Sequence, residues 1–443
     1  MSGSDRTAGE RTTNPPVRRP ADWDAERLRS LAAEYGTPLY VLDPDRVRQN
    51  CERLLGAFPD ATVDYAVKAN TTRTVLETVE QAGLGAECAS AGEVRRALDA
   101  GFPAERVRYT AVNPPAADLD AVVDWWREGG DGLTVTVGAR DALDALAERG
   151  YDGRLCVRVN PGVGAGHHEK VTTGDAPQFG VPFDRADEVC TAADDVGEFV
   201  GLHAHVGSGV SGEDLSAHEV LVARMAMLAD ELDPAPEFVS VGGGLGVPYS
   251  RDEPPLDLES VADATRDAFD CDARLAVEPG RYVVADAGIL LTEATTVKET
   301  EETVVVGVDA GMTTLLRPAL YDAYHEIRSL SGTVDGDDRH ARDPTLCLVA
   351  GPVCETADVL GEERVLPAPE RGDLLTVGTT GAYGYEMAST YNSRPRPAVV
   401  TLDGETVARR ETLADLTRLE ADGDDDGTRG ADTRTADTRG DDA

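Results

Sequence analysis

A lysine at the end of an apolar run is the first feature of this chain that could do covalent chemistry. Lys68 follows residues 62–67 within Asp64-Tyr-Ala-Val-Lys-Ala-Asn70, and only Lys170 and Lys298 accompany it as lysines. A lysine amine can be tuned to form a Schiff base, whereas arginine cannot. The alternative is a lysine that merely extends from a strand end toward water. The segment alone leaves both interpretations open.

Two segments rich in small residues could bind an anionic, aromatic ligand. Gly242, Gly243 and Gly244 follow the apolar residues 238–241, and glycines let backbone N–H groups approach a phosphate closely. In the segment 203–209, His205 could stack on an aromatic ring and Ser208 could donate to phosphate. Simple turns are the alternative. A metal pair formed by the histidines at 203 and 205 is a further alternative, but no third ligand is evident, so no metal is predicted.

A carboxylate and an arginine follow the next apolar run. Glu278-Pro-Gly-Arg281 comes directly after residues 275–277. The Glu278 carboxylate could pair with a protonated pyridine nitrogen and make the ring an electron sink. The alternative is a salt bridge between Glu278 and Arg281. With a cofactor in place, Gly280 and Arg281 are also expected to contact it.

Three segments of the last third carry groups suited to an amino-acid substrate. Arg317-Pro-Ala-Leu-Tyr321 offers a guanidinium fork for a carboxylate together with a phenol, unless Arg317 is a surface arginine. Cys354 and Glu355 pair a proton donor with a carboxylate that could bind an ammonium group. The alternative for Cys354 is a small buried hydrophobic residue. Tyr383 is expected to contact both cofactor and substrate.

The elements that must position these groups alternate between strands and helices. Helical stretches such as 74–82 and 91–100 separate apolar runs, and this alternation predicts a parallel sheet. Eight such units over roughly 230 residues fit a (β/α)8 TIM barrel, whose active site lies at the C-terminal strand ends. The predicted strands are 62–67, 85–89, 107–111, 133–137, 154–159, 200–206, 238–241 and 275–277.

After residue 285 the pattern changes to strands separated by turns. Runs such as 304–308, 346–349 and 398–402 predict a β domain of sandwich or Greek-key type, and the strand-like residues 37–42 could pair with it. The sequence therefore predicts five regions. They are a disordered arm (1–22), an N-terminal segment that packs with the β domain (23–45), the cofactor-binding barrel (46–285), the C-terminal β domain (286–418) and a disordered acidic tail (419–443).

The charge of the chain limits its partners. Asp and Glu total 82 against 42 Lys and Arg, which gives a formal charge of −40 and opposes binding to nucleic acid or anionic lipid. We interpret the charge as adaptation to high salt, which screens self-repulsion. The seven cysteines are scattered without a CxxC pair, so neither a disulfide framework nor a zinc site is expected. No signal peptide or membrane-spanning run is visible, and we expect a cytoplasmic protein.

Taken together, these motifs resemble the fold-type III decarboxylases that use pyridoxal 5'-phosphate (PLP), and within them the diaminopimelate decarboxylase family. The likeness runs over residues 25–415. Tyr65-Ala-Val-Lys-Ala-Asn70 resembles the family's cofactor-lysine motif, and the segments around His205, Gly242 and Glu278 resemble its ring-stacking, phosphate and pyridinium motifs. Asn113-Pro-Pro115 departs from the Asn-Lys pair common in the family. Further similar segments are 167–173, 317–321, 354–360 and 391–397.

The resemblance implies a decarboxylation. Lys68 would hold PLP until the substrate displaces it, Glu278 would pair with the pyridinium nitrogen, and Cys354 would protonate the carbanion left by carbon dioxide. The substrate implied is meso-2,6-diaminopimelate and the product L-lysine, the last step of lysine biosynthesis by that route.

The same resemblance assigns the distal end of the substrate. Arg281, Arg317 and Tyr321 would bind the distal carboxylate, and Glu355 the distal ammonium. It also implies a head-to-tail homodimer in which the partner chain contributes Cys354 and Glu355 to each site.

Three alternative functions remain at this point. A decarboxylase of ornithine, arginine or carboxynorspermidine shares the four cofactor motifs, but its substrates would favour acidic residues where Arg281 and Arg317 stand. An amino-acid racemase shares the barrel and Lys68 without needing the Cys-Glu pair. A non-enzymatic PLP carrier is usually a barrel alone, and the β domain argues against it.

Overall fold

The computed structural model describes residues 16–163, 176, 178–205, 207–208, 210, 214–331 and 342–420. Three sequence expectations concern residues outside these ranges. They are the similarity over 167–173, the beginning of the arm (1–15) and nearly all of the acidic tail (421–443).

The chain before the barrel packs against the β domain. Helix α1 (Ala25–Tyr35) is capped by Asp24, whose carboxylate accepts hydrogen bonds from two backbone N–H groups of the first turn. It is followed by strand β1 (Leu39–Leu42) and helix α2 (Pro44–Ala57). The prediction of a disordered arm is wrong for residues 16–22. The Arg18 guanidinium pairs with Asp43, and that of Arg19 donates to the Ser250 carbonyl, because the arm's cations meet acceptors on the folded chain.

Within the described residues, eight parallel strands close into a barrel, which confirms the predicted fold class. Each strand pairs in parallel with its neighbours, and the pairing of β5 with β6 completes the ring. A short strand, β7 (Val181–Pro182), extends the edge of β6. The barrel strands are β2 (Thr62–Ala66), β3 (Gly85–Cys88), β4 (Val107–Thr110), β5 (Thr134–Val137), β6 (Arg154–Asn160), β8 (Glu198–His203), β9 (Phe238–Ser240) and β10 (Arg274–Val277).

Amphipathic helices cover the outside of the barrel, and their apolar faces share one core with the strands. They are α3 (Arg73–Gln81), α4 (Ala91–Asp99), α5 (Ala116–Arg127), α6 (Arg140–Glu148), α7 (Ala186–Val196), α8 (Ser216–Glu231), α9 (Leu258–Ala268) and the short α10 (Arg281–Val284). Among the described helices we find no apolar stretch of the length that a bilayer requires.

The barrel interior holds paired charges as well as apolar side chains. Asp64 on β2 lies 3.0 Å from Arg108 on β4, and both side chains are largely buried. Gly85 on the intervening strand makes room for this pair, since a Cβ there would lie 2.0 Å from the Asp64 carboxylate. The Arg108 guanidinium also stacks 3.9 Å above the Phe238 ring. The barrel interior therefore contains a buried ion pair in addition to its apolar side chains.

The remaining strands form a mixed sheet with β1 in its centre. β1 pairs antiparallel with β11 (Gly288–Glu299) and parallel with β17 (Ala398–Thr401), so residues from both ends of the chain meet there. The strands are β11 (Gly288–Glu299), β12 (Val304–Val308), β13 (Ile327–Ser329), β14 (Pro344–Ala350), β15 (Val359–Pro367), β16 (Leu374–Val377), β17 (Ala398–Thr401) and β18 (Thr406–Ala408). Two short helices, α11 (Arg317–Tyr321) and α12 (Leu413–Thr417), accompany them.

Candidate active site

All the predicted cofactor residues except Gly242 line one cavity at the C-terminal ends of the barrel strands, which we call the inner cavity. Lys68 stands just after β2, Ser208 beyond β8 and Gly243 beyond β9, while Glu278 and Arg281 follow β10. The cavity measures about 80 Å³. Its lining residues are Ala66, Lys68, Glu87, Arg158, His203, His205, Ser208, Gly243, Gly244, Leu245, Glu278, Gly280, Arg281 and Tyr383.

Lys68 reaches across the inner cavity to a carboxylate that the sequence did not single out. Its Nζ lies 2.7 Å from Glu87 Oε2, and the Glu87 side chain is almost completely buried. Burial opposes the charged amine, but Glu87, Tyr383 and Glu278 together outweigh it and raise the pKa of Lys68. Glu87 is therefore the nearest acceptor for the proton that Nζ must lose before it can attack a carbonyl group.

Glu278 is held by two hydrogen bonds on the floor of the inner cavity. Its Oε2 lies 2.9 Å from His203 Nε2, and its Oε1 accepts a 2.7 Å hydrogen bond from the Ser240 hydroxyl. Burial alone would raise the pKa of Glu278, but His203, Ser240 and Lys68 hold it well below its usual value. The alternative salt bridge to Arg281 is wrong, because Arg281 binds Tyr249 instead.

The two histidines have different hydrogen-bond partners. His203 pairs with Glu278, whereas His205 Nδ1 accepts the Gly243 N–H at 3.2 Å. Burial, together with the nearby cations of Lys68 and Arg158, lowers the pKa of His205 to about 3. Among the residues that the structure describes, no group of three or more His, Cys, Asp or Glu side chains is arranged to hold a metal ion.

The glycine segment is shaped by close contacts with its neighbours. Gly242 has a φ of +72°, and a Cβ on it would lie 2.5 Å from His205 Nδ1, so a side chain is excluded on both grounds. Its N–H donates to Ser240 Oγ at 3.3 Å. With the Gly243 N–H bound to His205, the Gly244 N–H is the amide of this segment that faces no acceptor among the described residues.

A second cavity adjoins the first at Arg281, and we call it the outer cavity. It measures about 430 Å³ and is lined by Gly246, Val247, Pro248, Tyr249, Glu253, Pro254, Leu256, Arg281, Arg317, Tyr321, Asp322, Ala323 and Tyr324. It therefore contains the three residues that the resemblance assigned to the distal carboxylate.

Two arginines face this outer cavity, and aromatic rings are their close neighbours. Arg281 Nη1 donates to Tyr249 Oη at 2.6 Å, and the Arg317 guanidinium lies 4.5 Å from the centre of the Tyr249 ring. Arg281 also lies 5.0 Å from the ring of Tyr383. Across the described ranges, no carboxylate forms an ion pair with either arginine. The interpretation of Arg317 as a surface residue is wrong, since only 2% of it is exposed.

Cys354 and Glu355 line neither cavity of this chain. The Cys354 thiol is exposed and lies 3.5 Å from Asn392 Oδ1, so it is not a buried hydrophobic residue. Glu355 accepts a hydrogen bond from the Tyr391 hydroxyl. Both side chains thus stand on the surface of the β domain, where a neighbouring chain could meet them.

The described residues fit PLP. An amine for the aldehyde, a low-pKa carboxylate for the ring nitrogen and an imidazole face the same cavity. Among the described residues, the Gly244 amide and the Ser208 hydroxyl can donate hydrogen bonds to a phosphate. Within the cavity, the Lys68 side chain is held by its ion pair with Glu87.

Several of these groups were missed by sequence reasoning. Glu87, Arg158 and Ser240 lie within predicted strands, and Tyr249 lies in a segment that carried no motif. The one available signal was an ionisable residue inside an apolar run, as at Glu87 and Arg158, because such residues are rarely buried without a partner.

Comparison with known proteins agrees with this geometry. Residues 44–285 match the family described as the pyridoxal-binding domain of pyridoxal-dependent decarboxylases. Diaminopimelate decarboxylase of Methanothermobacter thermautotrophicus is 41% identical over 408 residues, which cover 88% of this chain and 92% of that protein. The enzyme of the same name from Aquifex aeolicus is 34% identical, covering 86% and 90%. The structure of Helicobacter pylori diaminopimelate decarboxylase complexed with L-lysine has a TM-score of 0.81 at 32% identity, covering 89% and 99%.

A barrel with a lysine at one strand end and a buried glutamate at another, joined to a β domain, defines a PLP-dependent decarboxylase. The cofactor is PLP. At 41% identity over most of both chains, this chain belongs to the diaminopimelate decarboxylase family.

Proposed function

We propose that this protein decarboxylates meso-2,6-diaminopimelate to L-lysine and carbon dioxide, the last step of lysine biosynthesis from diaminopimelate. The observation that carries the proposal is the pair Arg281 and Arg317, which face the outer cavity without an acidic partner among the described residues. A second carboxylate on the substrate would satisfy both guanidinium groups. Ornithine or arginine would present a cation to them instead, and no structural feature favours a racemase.

The division of labour follows from the positions of the side chains. When bound, PLP withdraws the electrons left behind by carbon dioxide. Lys68 supplies the amine that holds the cofactor, and Glu87 is placed to take the Nζ proton. Glu278 keeps a proton on the cofactor's ring nitrogen, because its own carboxylate stays ionised. His205 covers one face of the cavity and helps to exclude water.

One proton must be delivered to the substrate carbon for each carbon dioxide lost. We assign this step to the thiol of Cys354, and the binding of the distal ammonium to Glu355. Both residues are exposed and lie outside the two cavities of their own chain. This arrangement supports a homodimer in which each chain completes the other's site.

The direct test is incubation of the protein with PLP and meso-diaminopimelate. Stoichiometric L-lysine and carbon dioxide are the expected products. Faster decarboxylation of L-ornithine or L-arginine than of diaminopimelate would refute the assignment.

Lys68 should carry the cofactor. Reduction with borohydride traps an amine-linked pyridoxyl group, and peptide mapping should place that label on Lys68, since its Nζ faces the inner cavity. Lys298 on β11 serves as the internal control, because it lies in an exposed part of that strand. A label found at Lys298 or Lys170 would overturn the assignment.

Cys354 should act across a subunit interface. Lys68→Ala and Cys354→Ala chains should each be inactive, but a 1:1 mixture should regain about a quarter of the wild-type activity. The reason is that each mixed twofold dimer has one site with both groups intact. Mixed dimers that form, as shown by affinity tags on the two chains, and remain inactive would exclude the shared site.

The setting of the enzyme is also a proposal. We propose a cytoplasmic protein adapted to high salt, on the basis of 82 acidic against 42 basic residues. Because salt screens the repulsion among these charges, the free energy of unfolding should be larger in molar salt than in dilute buffer. Equal values in the two solutions would count against the adaptation.

A further inference from the structure

A buried histidine links Arg317 to the β domain. His325 is completely buried, and its Nε2 lies 2.8 Å from Arg317 Nη1. Its Nδ1 lies 2.8 Å from the carbonyl oxygen of Gly378, directly after β16. The imidazole therefore connects the guanidinium in the outer cavity to a fixed point of the sheet.

The chemistry of the two partners fixes the state of the ring. A guanidinium can only donate hydrogen bonds, so Nε2 must be the acceptor; a carbonyl oxygen can only accept, so Nδ1 must carry the hydrogen. His325 is thus neutral and in one tautomer. Burial and the charge of Arg317 act in the same direction, lowering the pKa of His325 to about 3.

The local chain is folded to make this contact. After α11, Asp322 adopts a left-handed conformation with a φ of 51°, and the chain turns back so that His325 reaches the arginine eight positions earlier. The adjacent acid, Glu326, does not compete for Arg317, because it is paired with Arg251. Arg317 is therefore bound by the neutral imidazole of His325, although the carboxylate of Glu326 is the next residue in the sequence.

A neutral partner has a different effect from an acidic one. A carboxylate would orient the guanidinium but would also neutralise it, leaving little charge for a ligand. An imidazole fixes one edge of the guanidinium and leaves its charge available to an anion in the cavity. The other close neighbour of the guanidinium is the aromatic ring of Tyr249, 4.5 Å away, which brings no carboxylate to it either.

We infer that His325 is a positioning residue that aims Arg317 at the carboxylate of the substrate's distal end while preserving the arginine's full charge. The inference rests on the proposed function, because it takes this carboxylate as the ligand of Arg317. That carboxylate is the one that L-lysine keeps, so the product itself can serve as the probe.

The experiment compares two ligands that differ only in this group. L-lysine and 1,5-diaminopentane have the same carbon chain and amines, but the diamine lacks the carboxylate. Calorimetry on the holoenzyme gives both dissociation constants without turnover. Wild-type protein should bind L-lysine more tightly than the diamine. His325→Leu should weaken L-lysine binding roughly tenfold, the scale of a lost hydrogen bond to a charged group, and leave diamine binding unchanged.

Three further variants separate positioning from a structural role. His325→Gln, whose amide oxygen can still accept from Arg317, should restore L-lysine binding to within about threefold of wild type. His218→Leu removes another buried histidine, whose side chain on α8 is hydrogen-bonded to Thr265 on α9. It should change neither dissociation constant. Adding His325→Leu to Arg317→Met should weaken L-lysine binding no further than Arg317→Met alone. The reason is that both changes act on the same interaction, the one between Arg317 and the carboxylate.

The outcomes distinguish the inference from the function on which it rests. Wild-type protein that binds both ligands equally would overturn the proposed function and the inference together. Wild-type protein that prefers L-lysine, with His325→Leu keeping that preference, would overturn the inference alone. The same conclusion follows if His325→Leu weakens both ligands in parallel or if the double variant is additive.

Discussion

Replacing Glu278 by glutamine should lower kcat by about a hundredfold or more, the scale seen when one preorganised electrostatic group is lost. The carboxylate is buried, ionised and fixed by His203 and Ser240. Glutamine has nearly the same shape but no charge, so it cannot stabilise a proton on the ring nitrogen. The amine of Lys68 is untouched, so the variant should still bind the cofactor. Steady-state kinetics and the cofactor content of the same preparation measure both quantities.

A second buried carboxylate provides the control for Glu278→Gln. Asp64 lies on the neighbouring strand β2 and pairs with Arg108 away from the cavities. Asp64→Asn makes the same chemical change and should reduce thermal stability with little effect on kcat. If Glu278→Gln turns over substrate at a near-normal rate, Glu278 has no part in the chemistry.

Arg317→Met should raise the KM for diaminopimelate by two to four decades, with cofactor content unchanged. A planar guanidinium holds a carboxylate through two charge-assisted hydrogen bonds. Leaving a buried charge without its partner costs about 3–5 kcal/mol. Each tenfold change in a binding constant corresponds to about 1.4 kcal/mol. The same argument explains why L-lysine should not be a substrate. With its α-carbon at the cofactor, its ammonium end would face Arg281 and Arg317.

The competing role for Arg317 is to brace the β domain, and Arg342 offers the comparison. Arg342 pairs with Asp373 in that domain and lines neither cavity. Arg342→Met should lower the melting temperature and keep the KM. An Arg317→Met enzyme with a lowered melting temperature and an unchanged KM would show that Arg317 has the same bracing role.

The sequence predicted the barrel well because its strands are short apolar runs between amphipathic helices. This pattern can be recognised from neighbouring residues in the sequence. It predicted the β domain less completely. The second half of β11 is exposed and carries Thr, Lys and Glu, and β15 contains Glu362, Glu363 and Arg364, so neither stands out as an apolar run. Pairing with distant strands, rather than local composition, makes these segments extended.

The site shows the same division. Lys68, Glu278, Gly243 and Gly244 lie in recognisable motifs, and all four line one cavity. Glu87 and His325 act through partners 19 and 8 positions away, and neither carries a motif. Residues that support other residues are defined by geometry, so they emerge only when the chain is folded.

The position of β1 also determines the order in which this protein can assemble. Residues 39–42 leave the ribosome early, but their parallel partner β17 ends at residue 401, after the whole barrel has been made. The β sheet therefore closes last, and its centre remains open while the barrel forms. A β domain produced without the first 42 residues would expose the unpaired edges of β11 and β17, which favours aggregation. Genetic separation of the two domains would thus leave the β domain without its central strand.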